Sequence, residues 1–401
     1  MKKILLLGGS RYILPIIEAI HKLGYYAITC DYLPDNIAHK YSDEYHNVSI
    51  IEKDKVLTLA QELKIDGIMS FACDPGVDVA AYVAEKMGLP YVGSYEAVSI
   101  LQNKALFRQF LTEHGFNVPK AKGYSDAESA VADSDQFRWP VIVKPVDSAG
   151  SKGVTRVDKE ENLKTAADYA IKYSKTNRFI VEEFIQQKGC SSDTDCFSID
   201  GQLVFASFTN QRFDKNATNP YTPSAYSWPS TMPDEIQAEL RSELQRLMTL
   251  LNLKTSIYNI ETRQGTDGKA YIMEVSPRGG GNRLAEMLRY ASGTDLVTNS
   301  VRAAVGDEIV GVTGDPVYDG CWAEVILHAD NDGAYEDLWI DESIQPCVIE
   351  RDLWIQSGDT VHGFTGANEA VGTLVLRFDN NDQLEEVMNN IHKYVKVKTK
   401  Q

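Results

Sequence analysis

Glu261 and Glu274 each stand near the end of an apolar run, in Ile257-Tyr258-Asn259-Ile260-Glu261-Thr262-Arg263 and in Tyr271-Ile272-Met273-Glu274-Val275-Ser276-Pro277-Arg278, and the glycines Gly279, Gly280 and Gly281 follow. Read as two strands joined by a turn at 264–268, these runs bring the two carboxylates to one site. Neighbouring carboxylates repel and raise each other's pKa unless a cation lies between them. Magnesium held by one or two carboxylates and by phosphate oxygens resolves that conflict. Arg278 leaves the second strand beside the glycines, placed to contact a transferring phosphoryl group or a substrate carboxylate. The plain structural alternative is a cross-strand acidic pair before a glycine-rich turn.

A second set lies upstream. Trp139-Pro140-Val141-Ile142-Val143-Lys144-Pro145 reads as an apolar strand ending in lysine and proline, and Ser148, Ala149, Gly150, Ser151, Lys152 and Gly153 follow in a loop of small residues. A rigid strand can aim the Lys144 ammonium at a phosphate while main-chain N–H groups of such a loop fold over it. Val181-Glu182-Glu183-Phe184-Ile185 then ends a strand with two acids and apolar neighbours, a composition suited to an adenine slot. Read alone, it is an edge strand with exposed glutamates. Moving the γ-phosphate of ATP to a carboxylate joins two anions, so it needs fixed cations, a metal and exclusion of water. The first two requirements have named candidates in these sets.

The elements that must position these residues follow from periodicity. Residues 4–7, 26–30 and 67–71 read as short buried strands, and 13–23, 55–63 and 77–87 as amphipathic helices, which together make a parallel α/β layer. Gly8-Gly9-Ser10 closes its first strand and Asp31 its second, where a dinucleotide fold places its phosphate turn and ribose acid, but GGS is not GxGxxG. Around 115–120 the composition changes. Strands at 139–145, 154–157 and 179–183 with a helix at 160–173 form a small α+β unit. Strands at 202–210, 255–262 and 270–275 then alternate with helices at 234–252, 283–290 and 295–305. The last ninety or so residues read as β-rich, with strands at 318–328 and 372–378 and a helix at 383–392, forming a lid or cap.

At 401 residues, 43% of them hydrophobic, the chain is long enough for two or three packed units. A formal net charge of -17 argues against a nucleic-acid partner, because the long-range field repels a polyanion. Six cysteines without a CxxC pair indicate neither a zinc site nor a disulfide framework, and a reducing, cytoplasmic compartment is the expectation. The run at 4–7 is too short for a signal peptide, and no stretch approaches a membrane span.

Taken together, Lys104, Lys144, the 148–153 loop, 181–185, Glu261 and Glu274-Val275-Ser276-Pro277-Arg278 occur in the order and spacing of the ATP-grasp superfamily, which the chain resembles over nearly its whole length. The likeness is to the branch with carbamoyl phosphate synthetase large-subunit domains, glycinamide ribonucleotide synthetase and L-amino acid ligases. It implies an ATP-grasp fold of mixed α/β and α+β class, divided into an N-terminal parallel, Rossmann-like α/β domain (1–93), a helical linker (94–117), a small ATP-clamping subdomain (118–190), a metal-binding subdomain (191–305) and a β-rich C-terminal extension (306–401).

The same resemblance implies that Lys104, Lys144, Ser148, Ala149, Gly150, Ser151 and Gly153 bind ATP phosphates, and that 182–185 (Glu182, Glu183, Phe184, Ile185) form the adenine strand, with Glu182 and Ile185 contacting the base through their main chains. Glu261, Glu274 and Ser276 are its metal ligands, for magnesium or manganese; Ser276 stands where relatives carry Asn. Arg278 stabilises the phosphoryl transition state, and Arg283 holds a substrate carboxylate. The implied reaction joins a small-molecule carboxylic acid to an amine through an acyl phosphate. A homodimer is the expected assembly, with neither nucleic acid nor membrane as partner. A small-molecule kinase, a non-catalytic nucleotide-binding regulator and a dehydrogenase are the competing classes. The acid that binds ribose in relatives has no counterpart at Gly189-Cys190; Asp193 or Asp195 would substitute only after a local insertion, and the ribose residue stays open. Residues 219–230, rich in proline and aromatics, stand where the resemblance puts the loop that lines the acceptor pocket of L-amino acid ligases, with Arg212, Tyr226 and Trp228 as its candidates; a proline-rich loop simply packed on the domain is the favoured alternative.

Overall fold

The computed structural model describes residues 1–148, 150, 152–312 and 314–400. Contacts group the chain into two compact units, one made of Met1–Pro119, Asp193–Ser207 and Pro233–Pro316, the other of Lys120–Ser192, Phe208–Met232 and Val317–Gln401. Among the described residues no helix is long and apolar enough to cross a membrane.

The first unit contains two sheets. Its N-terminal sheet is four-stranded and parallel throughout, ordered Glu44–His46, Tyr26–Cys30, Lys3–Leu7, Gly67–Met69. Helices Lys53–Leu63 and Val77–Met87 bury Val56, Leu59, Ala80 and Val83 against Leu5, Leu7 and Ile68, the covered-face pattern of a parallel sheet. The strand Glu44–His46 was not expected; three residues are too few for a periodicity to show. The second sheet is ordered Gln202–Ala206, Ser192–Ile199, Ser256–Gln264, Ala270–Ser276. Helix Leu296–Ala304 packs against strands of both sheets. This packing explains Gly67, where a Cβ would lie 2.4 Å from the Ala304 carbonyl oxygen.

In the second unit, strands Ala121–Tyr124, Phe179–Glu183, Val141–Pro145 and Thr155–Val157 form one sheet in that order. Phe179, Val181, Val141 and Val143 face a core with Leu163, Ala166 and Ala170 of helix Leu163–Lys172. A five-stranded sheet runs Asn210–Phe213, Pro223–Trp228, Cys321–Leu327, Gly372–Phe378, Val348–Leu353, and a three-stranded one includes Gly333–Ile340 and Val395–Lys400.

The region at 219–230 is therefore not a pocket loop throughout: Pro223–Trp228 is an internal strand, paired with Asn210–Phe213 on one side and Cys321–Leu327 on the other. Tyr226 and Trp228 are 1% and 0% exposed, as core residues are. Arg212 meets Glu385 at 2.5 Å and Asn389 at 2.8 Å, tying the strand to helix Asn381–Asn389. Proline and aromatic content suggested a loop, but aromatics also favour half-buried strands, and the proline occupies the strand's first position.

Candidate active site

In the first unit, Ser256–Gln264 and Ala270–Ser276 pair antiparallel with Glu261 directly opposite Glu274 and Asn259 opposite Ser276. Period-two alternation buries Ile260, Thr262 and Gln264 and leaves Asn259, Glu261 and Arg263 half-exposed on the other face. The expected acidic pair is thus brought together by register. Each acid has a cationic neighbour: Lys104 Nζ lies 3.3 Å from Glu274 Oε2, and Arg263 Nη2 lies 2.6 Å from Glu261 Oε1. Among the described residues no group of three or more His, Cys, Asp or Glu stands at metal-binding spacing. Two facing carboxylates are a donor set of the kind magnesium takes, its shell being completed by phosphate oxygens and water.

Lys104 reaches this place by helix geometry. Asn103 caps helix Lys104–Glu113, its side chain accepting from the N–H groups of Ala105 and Leu106. Four residues on, along the same face, buried Arg108 donates to the Met273 carbonyl oxygen at 2.8 Å, which ties the helix to the strand of Glu274. A lysine in the first turn opposes the helix dipole by about 0.3–1 kcal/mol. Placing one there breaks a stability rule, as functional positions do.

Arg278 lies at the centre of a buried network, only 9% exposed. Its Nε donates to Asp74 Oδ1 at 2.8 Å and its Nη2 to Asp74 Oδ2 at 2.6 Å, while Nη1 donates to Asn259 Oδ1 at 3.3 Å and to the Gly279 carbonyl at 2.9 Å. Burial alone would raise the Asp74 carboxyl, but the Arg278 guanidinium, the Ser276 hydroxyl and Lys104 hold it below its ordinary value. Ser276, expected as a metal ligand, donates its hydroxyl hydrogen to Asp74 Oδ1 at 2.9 Å and accepts from Gln102 Nε2 at 2.8 Å. Arg283 begins helix Leu284–Ser292 with a left-handed φ of 56° and lies 3.3 Å from Glu286.

Asp195, weighed as a ribose acid, is fully buried: its Oδ1 accepts from the Gly280 N–H at 2.8 Å and from Asn259 at 3.4 Å, and its Oδ2 has no hydrogen-bond partner among the described residues. Burial pushes its carboxyl up to about 7, with Asp193 adding to the shift and the Gly280 N–H and Arg278 opposing it. Asp31, at the end of Tyr26–Cys30, accepts from Leu33 N–H and Asn36, which makes it the anchor of a local turn. His39 lies where a Cβ on Gly9 would be, at 2.5 Å, filling the space beside the glycine turn.

In the second unit, Lys144 and Glu182 lie diagonally across adjacent strands, Lys144 opposite Ile180 and Glu182 opposite Ile142. Their side chains are 14% and 4% exposed and meet at 2.5 Å. The sequence reading assigned Glu182 a main-chain role and missed this side-chain pair. Glu183 accepts from Arg138, and the N–H groups of Glu183 and Phe184 are taken by the carbonyls of Lys120 and Pro140. Phe184 and Ile185 are half-buried, and Arg156 stacks over the Phe184 ring at 4.6 Å. Ser148, half-buried, and Gly150, exposed with a φ of 68°, lie in the turn after Val141–Pro145. Gly153 has a φ of 74°, and a Cβ there would meet Pro145 at 2.9 Å, so both conformation and space require glycine. Asp147 anchors the base of this loop by accepting from Thr176 N–H and Oγ1. Ala149 and Ser151 lie outside the described residues.

Sequence reasoning missed Asp74, Asn259 and Gln102. Asn259 had a signal, since it sits two residues before Glu261 and so shares its strand face; Asp74 and Gln102 join the network only through the tertiary fold.

Residues 137–286 match the family model of the ATP-grasp domain. The fold resembles the L-amino acid ligase from Bacillus licheniformis, at 18% identity and a TM-score of 0.81, with 100% of this chain and 99% of that one covered. It resembles the phosphoribosylglycinamide synthetase from Anaerococcus prevotii at 19% identity and a TM-score of 0.77, with both chains covered in full. The biotin carboxylase domain of the 2-oxoglutarate carboxylase from Hydrogenobacter thermophilus, in complex with MgADP and bicarbonate, matches at 16% identity and a TM-score of 0.75, over 99% of this chain and 91% of that one.

Proposed function

We propose, with the ATP-grasp domain and fold of this chain as premise, that it is an ATP-dependent carboxylate–amine ligase. The observation that carries this reading is the register of Glu261 opposite Glu274, with the Lys104 ammonium 3.3 Å from the second carboxylate. Such an arrangement suits the phosphates of a metal-bound nucleotide. Lys144 and the 148–153 loop are assigned to ATP phosphates, and Arg278 to the transferring phosphoryl group.

The reaction balances in two steps. A carboxylate oxygen of the acid attacks the γ-phosphorus, the bond to the β-phosphate oxygen breaks, and ADP leaves. The amine nitrogen then attacks the acyl carbon, phosphate departs with the bonding pair, and the nitrogen loses a proton. Magnesium, when bound by Glu261 and Glu274, supplies charge neutralisation for the phosphates. The lysines and Arg278 lower the cost of bringing two anions together, and their preorganisation matters because phosphoryl transfer asks for positioning and charge rather than covalent help. The likeness to an L-amino acid ligase and a phosphoribosylglycinamide synthetase supports an acid–amine coupling, with an amino acid as one candidate substrate.

The test is ADP and phosphate release from magnesium-ATP with pooled amino acids and sugar acids, run with and without hydroxylamine. Hydroxamate that depends on one acid in the pool supports carboxylate activation and names the acid. ADP without hydroxamate, accompanied by a stable phosphorylated compound, replaces the ligase with a kinase.

A further inference from the structure

Arg278 has five N–H donors. Among the described residues four are engaged, by Asp74 Oδ1, Asp74 Oδ2, Asn259 Oδ1 and the Gly279 carbonyl oxygen, which leaves one Nη2 hydrogen for an outside acceptor. The partners are themselves held. Gln102 donates to Ser276 and Ser276 to Asp74, so the hydroxyl hydrogen of Ser276 is committed and one of its lone pairs is occupied. On the other edge, Asn259 donates to Asp193 at 2.8 Å and to Asp195 at 3.4 Å, and Asp195 in turn accepts from the Gly280 N–H. The segment carrying Asp74 is locked against the glycine run: Ala72 N–H donates to the Gly279 carbonyl, and the Phe71 ring lies where a Cβ on Gly279 would be, at 2.1 Å. Ala72 adopts a left-handed φ of 51°, a conformation unfavourable for alanine that persists only where surrounding contacts impose it.

We propose that Asp74 and Ser276 are positioning residues for Arg278, which together with Asn259 fix the guanidinium plane so that its single uncommitted Nη2 hydrogen meets the transferring group, and that Ser276 belongs to this frame and not to the metal site. The assignment rests on the ligase reading for its catalytic consequence, but the placement of Ser276 can be tested without turnover. A hydroxyl that has given its hydrogen to a carboxylate and accepted from an amide is oriented by those two bonds. A frame around a cationic group acts on kcat, because the group must already be aligned when charge moves.

The experiment uses the full chain and three variants, Asp74→Asn, Ser276→Ala and Ser276→Thr, each checked for folding by its thermal transition. Manganese binding to the ADP complex, followed by the paramagnetic resonance of the free ion, is the readout besides activity. The frame predicts that Ser276→Ala binds manganese within about twofold of wild type, whereas loss of a contact in a metal's ligand or supporting shell costs about 10–100-fold. With the acid identified by the hydroxamate assay, Asp74→Asn lowers kcat by about 10–100-fold while the KM for ATP moves by less than about threefold. Ser276→Ala lowers kcat less, and Ser276→Thr, which keeps the hydroxyl, recovers most of it. Manganese affinity that falls tenfold or more in Ser276→Ala, or unchanged kcat in a folded Asp74→Asn, overturns the proposal. Absence of any ATP-dependent product from wild type refutes the ligase reading instead, and the manganese measurement still decides where Ser276 belongs.

Discussion

Lys144 and Arg278 are both cations drawn largely out of water and held by a carboxylate, yet the two pairs are built by different means. Lys144 and Glu182 are 38 residues apart and sit on neighbouring strands of one sheet, so the strand register alone places them diagonally on one face. Arg278 and Asp74 are 204 residues apart and follow strands of two different sheets. Their meeting depends on the strained Ala72, the bare Cα of Gly279 and the helix that joins the sheets. The chemistry differs in the same direction. An ammonium is a point charge that one carboxylate oxygen satisfies, whereas the guanidinium fork uses both oxygens of Asp74 and fixes an orientation as well as a charge. A pair made by register should tolerate a change of neighbour; a pair made by interlocked loops should not.

Removing Arg278 itself is the sharpest way to break that contrast. Arg278→Ala should lower kcat by about 10²–10³-fold, the loss seen when one preorganised donor to a transition state is deleted. Arg278→Lys should recover little, since lysine cannot form the fork. A kcat within threefold of wild type for either variant, measured at saturating magnesium-ATP, would remove Arg278 from the reaction. Lys144→Met is expected to act on binding, raising the KM for ATP by about tenfold with a smaller change in kcat, because a phosphate contact made equally in ground and transition states acts as uniform binding.

The carboxylate partners separate the two pairs by stability. Glu182→Gln leaves an ammonium 14% exposed and Asp74→Asn a guanidinium 9% exposed. Breaking a buried pair costs up to about 3–5 kcal/mol. Asp74→Asn should lie nearer that limit, because four of the guanidinium donors depend on the frame. Urea unfolding of both variants checks the order. For Asp74 the pH dependence has a definite sign: its carboxyl is held below the ordinary value, so the pair's contribution is present above the unfolded pKa and is lost as pH falls through the lower folded value. The gap between wild type and Asp74→Asn should therefore hold from pH 8 to pH 5 and close only in stronger acid.

How much of this was legible follows from how far apart the partners lie. The parallel α/β layer, the hairpin of Glu261 and Glu274 and the strand of Lys144 are local patterns of alternating burial, and apolar spacing reveals them. Strand Pro223–Trp228 has neighbours at 210–213 and 321–327, the second about a hundred residues away, and nothing in its own composition announces them. Asp74 was similarly mute: an Asp-Pro-Gly turn is ordinary punctuation until the glycine run comes to rest beside it. Asn259 was within reach, because strand alternation puts it on the face of Glu261, but an amide carries no charge to draw attention to it.

Asp195 tests whether the frame around Arg278 was built at a cost to the fold. Its carboxyl is raised to about 7, chiefly by burial, and its Oδ2 has no hydrogen-bond partner among the described residues. An acid whose folded pKa lies above its unfolded one binds more protons in the native state between the two values. Stability therefore falls as pH rises from about 4 to about 7 and is level above that. Asp195→Asn keeps an oxygen for the Gly280 N–H and removes the buried charge. At pH 8 the variant should unfold at higher urea than wild type, and the advantage should shrink by pH 5, where wild-type Asp195 is already protonated. If instead the variant is weaker by the same margin at both values, the ionised carboxylate is not a burden, and the shape of Asp195, not its charge, is what seats Asn259 and the glycine run.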